Sequence, residues 1–248
     1  MDQYALTARL PLSIIVPTLN EQNNVKKLVE RIHNALHKER ITYEIVFVDD
    51  HSTDNTMKNL RLLADVYPDL RIYHKEGKRG KAFSLLQGFN EAKYKLVCMI
   101  DADLQYPPEA IVPMYRKLQK ESADIVVTER VEQETNFLRQ LSSWVFNLIF
   151  TRLLFGIDLD SQSGLKLFKK RVLQTINISP SPWSFDLEFI IRSLEQSYKI
   201  SNHKIAFSER TEGKGKVNMF TTTYELIKTS VYLRFTTSRK KVRQVYES

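Results

Sequence analysis

Residues 97–109, VCMIDADLQYPPE, decide how the fold of this sequence is interpreted. A short apolar run, typical of a buried strand, stops at Asp101, and Asp103 and Gln105 follow at alternate positions. Residues two apart in an extended chain point to the same side, so these three side chains can converge. Two carboxylates and an amide oxygen suit Mg²⁺ or Mn²⁺ and leave coordination positions for diphosphate oxygens. An Asp-x-Asp alone can also be a polar exit from a strand, so the surrounding sequence has to be considered.

Apolar runs alternate with segments of helical period on both sides of this stretch. We expect strands at 12–16, 43–48, 70–74, 96–100 and 123–128, and helices at about 20–37, 55–66, 81–92 and 108–121. In the first helix the apolar residues recur at helical spacing, at Val25, Leu28, Val29, Ile32 and Leu36. This alternation predicts an α/β fold with a mostly parallel sheet flanked by helices on both faces.

Polar clusters follow four of the predicted strands. They are residues 17–21, 49–50, 77–81 and 101–105. Ligands of parallel sheets bind beyond the carboxyl ends of the strands. We therefore expect these clusters to form one site at a single edge of the sheet.

The pattern changes after residue 130. We expect a helix at 137–155, a polar loop at 160–164, a short strand at 165–168, a short helix at 171–176, a helix at 185–194 and a strand at 200–208. The helix at 185–194 carries Asp186 and Glu188. The sequence has no internal repeat and no evident linker, so we expect residues 1–248 to form a single domain.

Composition limits the classes of partner. The 248 residues carry a net charge of +8, which suits nucleic acid, an anionic membrane or phosphate-bearing substrates. Nucleic acid is disfavoured because the chain has neither zinc-ligand spacing nor a basic stripe interleaved with aromatic residues. The single cysteine, Cys98, lies inside an apolar run and is expected to be a core residue. With one cysteine no disulfide can form within the chain, which fits a reducing, cytoplasmic compartment. The first residues, MDQYALTARLPLS, have no apolar segment of a signal peptide.

Two aromatic-rich stretches point to a membrane surface. No apolar run reaches the roughly 18–20 residues that cross a bilayer. Residues 144–157 and 224–235 are nevertheless apolar and have cations close by. They can lie on a membrane with lysine and arginine heads reaching outward, or they can be core helices of a globular protein.

The ordered set of motifs is more specific than any one of them. The motifs are Ile15-Val16-Pro17-Thr18-Leu19-Asn20-Glu21, Val48-Asp49-Asp50-His51-Ser52-Thr53-Asp54, Gly77-Lys78-Arg79-Gly80-Lys81-Ala82, Asp101-Ala102-Asp103-Leu104-Gln105, Ser163-Gly164 and residues 210–216. With them the chain resembles the family-2 glycosyltransferases of GT-A fold, above all the dolichyl- and polyprenyl-phosphate mannose synthases and related polyprenyl-phosphate glycosyltransferases. The resemblance covers roughly residues 12–218. It implies a Rossmann-like sheet followed by C-terminal amphipathic helices.

The resemblance also implies how the domain is divided. About 10–130 would be the nucleotide-sugar-binding half, about 131–218 the acceptor-binding half, and about 219–248 an amphipathic, basic, membrane-proximal tail. The protein would then act at the cytoplasmic face of a membrane, either peripherally or as the catalytic part of a longer membrane protein.

Roles follow from the resemblance, position by position. The implied nucleotide-sugar-binding residues are Pro17, Leu19, Glu21, Val48, Asp50, Lys81, Asp101, Ala102, Asp103, Gln105, Arg210 and Lys216. The implied Mg²⁺ or Mn²⁺ ligands are Asp103 and Gln105, with Asp101 close by. The implied catalytic residues are Asp103, Arg139, Arg152 and Ser163.

Structural alternatives exist for several of these residues. Glu21 can stabilise a helix N-terminus, and Asp50 can be a turn or cap residue. Residues 78–81 can form a solvated turn, and Arg210 and Lys216 can lie in a solvated loop. Arg152 can be a surface cation on an otherwise apolar helix.

The implied reaction is a single in-line displacement that inverts the anomeric carbon and moves a hexose, mannose first and glucose second. If the acceptor is a polyprenyl or dolichyl phosphate, its oxygen is already anionic, and positioning by Arg139, Arg152 and Ser163 suffices. If the acceptor is a saccharide hydroxyl, a base is required, and Asp186 or Glu188 is the candidate unless both are ordinary surface carboxylates.

Two alternatives to this reading stay open. One is a soluble glycosyltransferase acting on a hydroxyl, and the other is a catalytically silent, membrane-associated relative. The sequence also departs from mannose synthases at 51–56, HSTDNT, and at 162–166, QSGLK. The resemblance therefore predicts the reaction class, and the donor can be GDP-mannose or a UDP-hexose.

Overall fold

The computed structural model describes residues 9–132, 154–157, 159–160, 162–179, 185–207, 219–238, 241–243 and 246. The strands are Leu12–Thr18 (β1), Tyr43–Asp49 (β2), Leu70–His74 (β3), Leu96–Met99 (β4), Ile125–Glu132 (β5), Lys166–Lys169 (β6) and Ile200–Phe207 (β7). The helices are Val25–Lys38 (α1), Thr56–Val66 (α2), Lys81–Glu91 (α3), Ile111–Lys120 (α4), Arg171–Thr175 (α5), Phe185–Glu195 (α6) and Met219–Thr236 (α7). A 3₁₀ turn, Pro108–Ala110, leads into α4.

The seven strands form one sheet in the order β3-β2-β1-β4-β6-β5-β7. Only β6 runs against its neighbours β4 and β5, so the expected mostly parallel α/β sheet is confirmed. Strands β2, β1 and β4 lie side by side and parallel, with Thr18 opposite Asp49 at one end. The loops that follow these three strands therefore meet at the same edge of the sheet.

An apolar layer covers each face of the sheet, and the strands are therefore buried on both faces. Along β1, Ile14 and Val16 pack into one layer while Ile15 packs into the other. The predicted inward positions of α1 are all buried: Val25, Leu28, Val29, Ile32 and Leu36. Cys98 is also fully buried in β4, as expected of a core residue.

Several predicted boundaries differ from the structure by one to five residues, and two of the differences have a clear local cause. Strand β1 continues through Pro17, which pairs with Val48 of β2. This is possible because the ladder with β4 ends at Ile15 opposite Met99, so the missing N–H of Pro17 breaks no bond there. Helix α1 begins at Val25 rather than near residue 20 because Asn20 adopts a left-handed conformation, with φ 50°.

The amphipathic stretches are only partly described. The predicted helix 137–155, and with it most of residues 144–157, lies outside the described residues. Residues 224–235 lie within α7. Among the helices that the structure describes, none combines the length and the apolar character needed to cross a bilayer.

Candidate active site

The loops after β1 and β2, residues 19–24 and 50–55, are joined to each other and are called here the paired loops. The backbone N–H of Asn20 donates to Ser52 Oγ over 2.8 Å, and Asn20 Oδ1 accepts from the N–H of Thr53 over 2.7 Å. Gln22 Oε1 accepts from the N–H of Asn55 over 2.9 Å. These bonds satisfy loop backbone groups with neighbouring side chains, so the two loops form one rigid wall at the edge of the sheet.

Three non-glycine residues at this edge have left-handed backbone conformations. They are Asn20, with φ 50°, His51, with φ 63°, and Leu104, with φ 61°. Asparagine tolerates this region, whereas a leucine there costs about 1–2 kcal/mol. Such strain concentrates at functional sites, where surrounding contacts enforce it. Leu104 is buried and separates Asp103 from Gln105 in the turn after β4.

Glu21 lies at the base of the paired loops. Its carboxylate accepts from Asn24 Nδ2 over 2.7 Å, and its N–H donates to Thr56 Oγ1 over 2.7 Å. Pro17 and Val48 are opposite one another on β1 and β2, and Val48 is fully buried. Glu21 therefore supports the start of α1, which is the structural role considered for it in the sequence analysis. It lies at the same edge of the sheet as the other predicted binding residues.

Asp50 secures the basic loop 77–81. Lys75 Nζ lies 2.5 Å from Asp50 Oδ1, and the N–H of Gly80 donates to Asp50 Oδ2 over 2.7 Å. Lys75 Nζ also donates to the carbonyl of Gly80 and to Ser84 Oγ, both over 3.1 Å. Desolvation raises the pKa of Asp50, but the bonds from Lys75 and Gly80 outweigh it, and the pKa is lowered overall. Asp50 thus holds this loop against the paired loops.

Four charged side chains form a continuous chain behind the Asp-x-Asp turn. Lys81 Nζ lies 2.6 Å from Asp101 Oδ1 and 3.7 Å from Asp186 Oδ2. The other oxygen of Asp186 lies 2.5 Å from Nζ of Lys166, which is fully buried. We call Asp101, Lys81, Asp186 and Lys166 the charge chain. It links the turn after β4 with α3, α6 and β6.

The pKa values within the charge chain follow from burial and alternating charge. Desolvation lowers the pKa of Lys81, but the negative charges of Asp101 and Asp186 raise it overall. Desolvation raises the pKa of Asp186, but the charges of Lys166 and Lys81 lower it overall. Desolvation raises the pKa of Asp101, helped by Asp103 and opposed by Lys81. Asp186 is therefore a poor proton acceptor at neutral pH.

The Asp-x-Asp turn offers hard oxygen donors. Strand β4 ends at Met99, so a turn, rather than the strand alternation we expected, brings Asp101 and Asp103 close enough to interact electrostatically. Asp103 Oδ1 accepts from the N–H of Gln105 over 3.2 Å, while the side chain of Ala102 is buried in the core. The described residues contain no cluster of three or more His, Cys, Asp or Glu side chains arranged for a metal. Two carboxylates and one amide oxygen fit an ion that completes its coordination with diphosphate.

The Ser-Gly loop forms a cradle for this turn. A Cβ atom on Gly164 would overlap Asp101 Oδ2 and crowd the ring of Tyr106. The hydroxyl of Ser163 is fully buried and bonded to Thr128 Oγ1 and to the carbonyl of Leu165. Gly164 therefore allows Asp101 its position, and Ser163 fixes the loop from inside rather than presenting a free hydroxyl.

The structure separates the two predicted base candidates. Asp186 joins the charge chain, whereas Glu188 is buried elsewhere and accepts from the N–H of Ser179 over 3.1 Å. Four predicted site residues lie outside the described residues: Arg139, Arg152, Arg210 and Lys216. Two lysines of the site were not predicted, Lys75 and Lys166. The signal for Lys166 was a lysine inside the otherwise apolar predicted strand 165–168.

A mostly parallel α/β sheet with carboxylates, an amide and lysines gathered at the carboxyl edge of its strands has the organisation expected of the GT-A fold. The family model "Glycosyl transferase family 2" matches residues 13–176. The chain belongs to glycosyl transferase family 2, as its motifs predicted.

Curated relatives share the family and part of the length. A dolichol-phosphate mannosyltransferase from Pyrococcus furiosus is 30% identical over 215 residues, which cover 84% of this chain and 59% of that protein. A dodecaprenyl-phosphate galacturonate synthase from Rhizobium johnstonii is 27% identical over 232 residues, covering 91% of this chain and 68% of that protein. The chain thus spans about three fifths to two thirds of the length of these relatives.

Solved structures share the fold. Glucosyl-3-phosphoglycerate synthase from Mycobacterium tuberculosis, solved with phosphoglyceric acid, superposes with a TM-score of 0.71 at 17% identity. That match covers 93% of this chain and 82% of the other. A structure of the same enzyme with Mn²⁺, UDP-glucose and phosphoglyceric acid gives a TM-score of 0.70 at 15% identity, covering 95% and 85%. The GT-A fold predicted from the motifs is confirmed.

Proposed function

We propose that the protein is a metal-dependent, inverting glycosyltransferase that moves a hexose from a nucleotide-sugar to a polyprenyl or dolichyl phosphate. Mannose from GDP-mannose is the first candidate, and a hexose from a UDP-sugar is the second. The observation that carries the proposal is the turn Asp101-Ala102-Asp103-Leu104-Gln105, held by Lys81 and cradled by Gly164. The names of the two curated relatives, both polyprenyl-type phosphate enzymes, support the acceptor.

In this proposal Asp103 and Gln105, with Asp101, hold Mg²⁺ or Mn²⁺. When bound, such an ion neutralises charge on the departing diphosphate. Lys81 extends from the start of α3 towards the same turn and offers a further positive charge. Glycosyl transfer needs this neutralisation most at the moment when the sugar leaves the diphosphate.

The remaining predicted residues take positioning roles. Pro17, Leu19, Glu21, Val48 and Asp50 would bind or support the nucleoside through the paired loops and loop 77–81. Arg210 and Lys216 would close over the diphosphate, and Arg139 and Arg152 would bind the acceptor phosphate bidentately. Ser163 would act by fixing the loop that contains Gly164.

The state of Asp186 favours a phosphate acceptor over a hydroxyl. A hydroxyl acceptor needs a carboxylate that can take up a proton, and Asp186 was a candidate for this role. Its carboxylate lies between Lys166 and Lys81, and its pKa is lowered, so it binds a proton poorly. A phosphate acceptor is already ionised near neutral pH and requires only orientation. The charge chain therefore supports the lipid phosphate rather than the hydroxyl alternative.

The deciding experiment is a transfer assay of donors against acceptors. GDP-mannose, UDP-glucose and UDP-N-acetylglucosamine would each be tested with Mg²⁺ or Mn²⁺, with and without a polyprenyl phosphate in detergent. We expect one donor to label the lipid, and only when the divalent ion is present. Transfer of the sugar to a saccharide hydroxyl, at a rate that does not depend on the polyprenyl phosphate, would contradict the proposed acceptor. No donor binding in the presence of Mn²⁺ would favour the catalytically silent alternative.

We also propose that α7 lies on an anionic membrane at its cytoplasmic face. Its side towards the protein contains Leu226, Ser230 and Leu233, which are buried. A second side exposes large apolar side chains, namely Ile227, Val231, Tyr232 and Phe235, the last to 86%. Lys228, Arg234 and Lys241 are exposed nearby and complement anionic headgroups. A helix apolar on two sides has more apolar surface than its own domain covers.

Vesicle sedimentation tests this surface. The double variant Val231→Ser/Phe235→Ser should lose most of its binding to phosphatidylglycerol vesicles because each change removes an apolar anchor. Leu62→Ser is the matched control, since Leu62 is an exposed leucine on α2. Equal loss of binding in the control, or binding by the double variant equal to that of the parent protein, would contradict the membrane role of α7.

A further inference from the structure

Lys81 lies between two carboxylates that have different other partners. It is hydrogen-bonded to Asp101 at 2.6 Å, and its distance of 3.7 Å to Asp186 is just beyond hydrogen-bond length. Asp101 belongs to the Asp-x-Asp turn, whereas Asp186 lies on α6. A shift of the ammonium by about 1 Å would exchange one partner for the other, since a hydrogen bond to oxygen is about 2.8 Å long. The flexible four-carbon side chain of lysine permits such a shift.

Lys166 holds the carboxylate of Asp186 in a position from which it can bind the ammonium of Lys81. Nζ of Lys166 bonds Asp186 Oδ1 at 2.5 Å and also bonds the carbonyl of Ser163. It is fully buried, so it has no alternative partner in solvent. Asp186 Oδ2 is consequently the oxygen that faces Lys81. The second carboxylate position for Lys81 is therefore already built before any ligand arrives.

The two carboxylates of the Asp-x-Asp turn need a compensating positive charge also when no metal ion is bound. Asp101 and Asp103 are close enough to repel each other, and Asp103 is buried. Two neighbouring carboxylates removed from water are stable only when cations or hydrogen bonds compensate them. In this structure the ammonium of Lys81 provides part of that compensation at Asp101. A divalent ion bound to the same carboxylate would compete with the ammonium for it.

We propose that Lys81 is the counter-ion of Asp101 only while the divalent ion is absent, and that Asp186 takes over its ammonium when Asp101 binds the ion. Asp186 and Lys166 are then positioning residues that act through Lys81. This inference rests on the proposed function in one respect, the presence of a divalent ion at the Asp-x-Asp turn. It adds a role in metal binding for three residues of the charge chain, namely Lys81, Asp186 and Lys166.

The test is a double-mutant cycle on Mn²⁺ affinity, measured without nucleotide by the electron paramagnetic resonance signal of free Mn²⁺. The proteins are the parent, Lys81→Met, Asp186→Asn and the double variant. We expect Lys81→Met to tighten Mn²⁺ binding about tenfold because the competitor is gone. We expect Asp186→Asn to weaken it about fivefold because Lys81 loses its second partner and stays on Asp101.

The double variant separates this mechanism from simple electrostatics. If Asp186 acts through Lys81, adding Asp186→Asn to Lys81→Met should change Mn²⁺ affinity less than about twofold. If Asp186 only contributes a negative charge to the site, its effect should be the same with and without Lys81, and that result would overturn the inference. Absence of Mn²⁺ binding by Lys81→Met would also overturn it.

Lys169→Met is the matched control. Lys169 is on the same strand as Lys166, and its Nζ lies 2.9 Å from Asp124, so the change removes an ion pair outside the charge chain. Its Mn²⁺ affinity should equal that of the parent. If Asp186→Asn does not fold, Lys81→Arg replaces it, because a guanidinium grips Asp101 in two places and should weaken Mn²⁺ binding several-fold. Parent-like affinity of Lys81→Arg would contradict the inference.

These outcomes are independent of sugar transfer. A protein that fails to label polyprenyl phosphate but shows the coupling between Lys81 and Asp186 would disprove the proposed acceptor and leave the Lys81 exchange in place. A protein that transfers sugar to polyprenyl phosphate, but in which Lys81→Met and Asp186→Asn have additive effects on Mn²⁺ affinity, would support the proposed acceptor and disprove the Lys81 exchange.

Discussion

The paired loops and the charge chain lie at the same edge of the sheet but are held together by different interactions. The paired loops are joined mainly by hydrogen bonds between uncharged side chains and backbone, as at Asn20 and Thr53, with one further bond from the N–H of Gln22 to the carboxylate of Asp54. The charge chain is joined by ion pairs, as at Lys81 and Asp101. Uncharged bonds fix one geometry, whereas an ion pair can exchange one partner for another ion. The paired loops are therefore suited to keeping a constant shape, and the charge chain is suited to a site whose charge changes.

The energetics of the two regions support this distinction. A net hydrogen bond within a protein contributes about 0.5–1.5 kcal/mol, so several in the paired loops stabilise the edge. A buried ion pair often contributes little, because desolvation offsets the attraction between its charges. The fully buried Lys166 and its partner Asp186 therefore contribute less to stability than their short distance suggests. A buried ion pair that adds little stability points to a role in the chemistry of the site.

The largest expected effect comes from the turn itself. Asp103→Ala removes a proposed metal ligand and should lower transfer by about a thousandfold or more, equivalent to about 4 kcal/mol of barrier. It should also weaken Mn²⁺-dependent binding of the donor, measured by calorimetry. Asp65→Ala, which removes an exposed carboxylate on α2, is the control and should leave both unchanged. Normal turnover by Asp103→Ala would disprove the metal assignment.

The next largest effect comes from a comparison of two glycines, Gly164 at the site and Gly88 in the core. An added Cβ on Gly164 would overlap Asp101, whereas one on Gly88 would overlap Ile15 in the core. Gly164→Ala should lower turnover about a hundredfold because Asp101 is displaced, with a modest change in melting temperature. Gly88→Ala should cost about 1–3 kcal/mol of stability through overpacking, with turnover near that of the parent at low temperature.

Thermal melts and single-temperature kinetics check this pair of variants. A large loss of stability in Gly164→Ala with normal turnover per folded molecule would show that the cradle is purely structural. Loss of turnover in a stably folded Gly88→Ala would place the site differently from our proposal.

The fold was largely predictable because short-range patterns determine it. Strand β3 has the predicted bounds, and the inward residues of α1 are those that helical spacing indicated. The Asp-x-Asp turn could be found because its residues are neighbours in sequence. Lys166 could not be assigned, since its partner Asp186 lies on another element and only folding brings them together. Sequence spacing also could not separate Asp186 from Glu188, which differ in what packs around them.

A smaller effect concerns how the paired loops meet loop 77–81. The pKa of Asp50 is lowered on folding, so its ionised form contributes stability above its unfolded pKa of about 4. That contribution is lost as the pH falls through the lower folded value. Asp50→Asn should destabilise the protein by about 1–2 kcal/mol at pH 7, and the difference from the parent should shrink below about pH 4.

Urea unfolding at several pH values measures this difference. Asp65→Asn is the control, because Asp65 is exposed on α2 and lies outside the loops that Asp50 joins. A difference between Asp50→Asn and its parent that stays constant down to the acid limit would show that Lys75 and Gly80 do not depend on the charge of Asp50.

An effect of similar or smaller size tests the hydrogen bonds of the paired loops directly. Asn20→Ala removes the acceptor for the N–H of Thr53 and places alanine at φ 50°, a conformation that asparagine tolerates better. Together these should cost about 1–2 kcal/mol in urea unfolding. Asn20→Gly loses the same acceptor but relieves the backbone, so it should be the milder change. Mn²⁺ affinity should be unchanged in both variants, because the charge chain does not pass through Asn20. A shift in Mn²⁺ affinity comparable to that of Asp186→Asn would mean that the wall and the charge chain act as one unit.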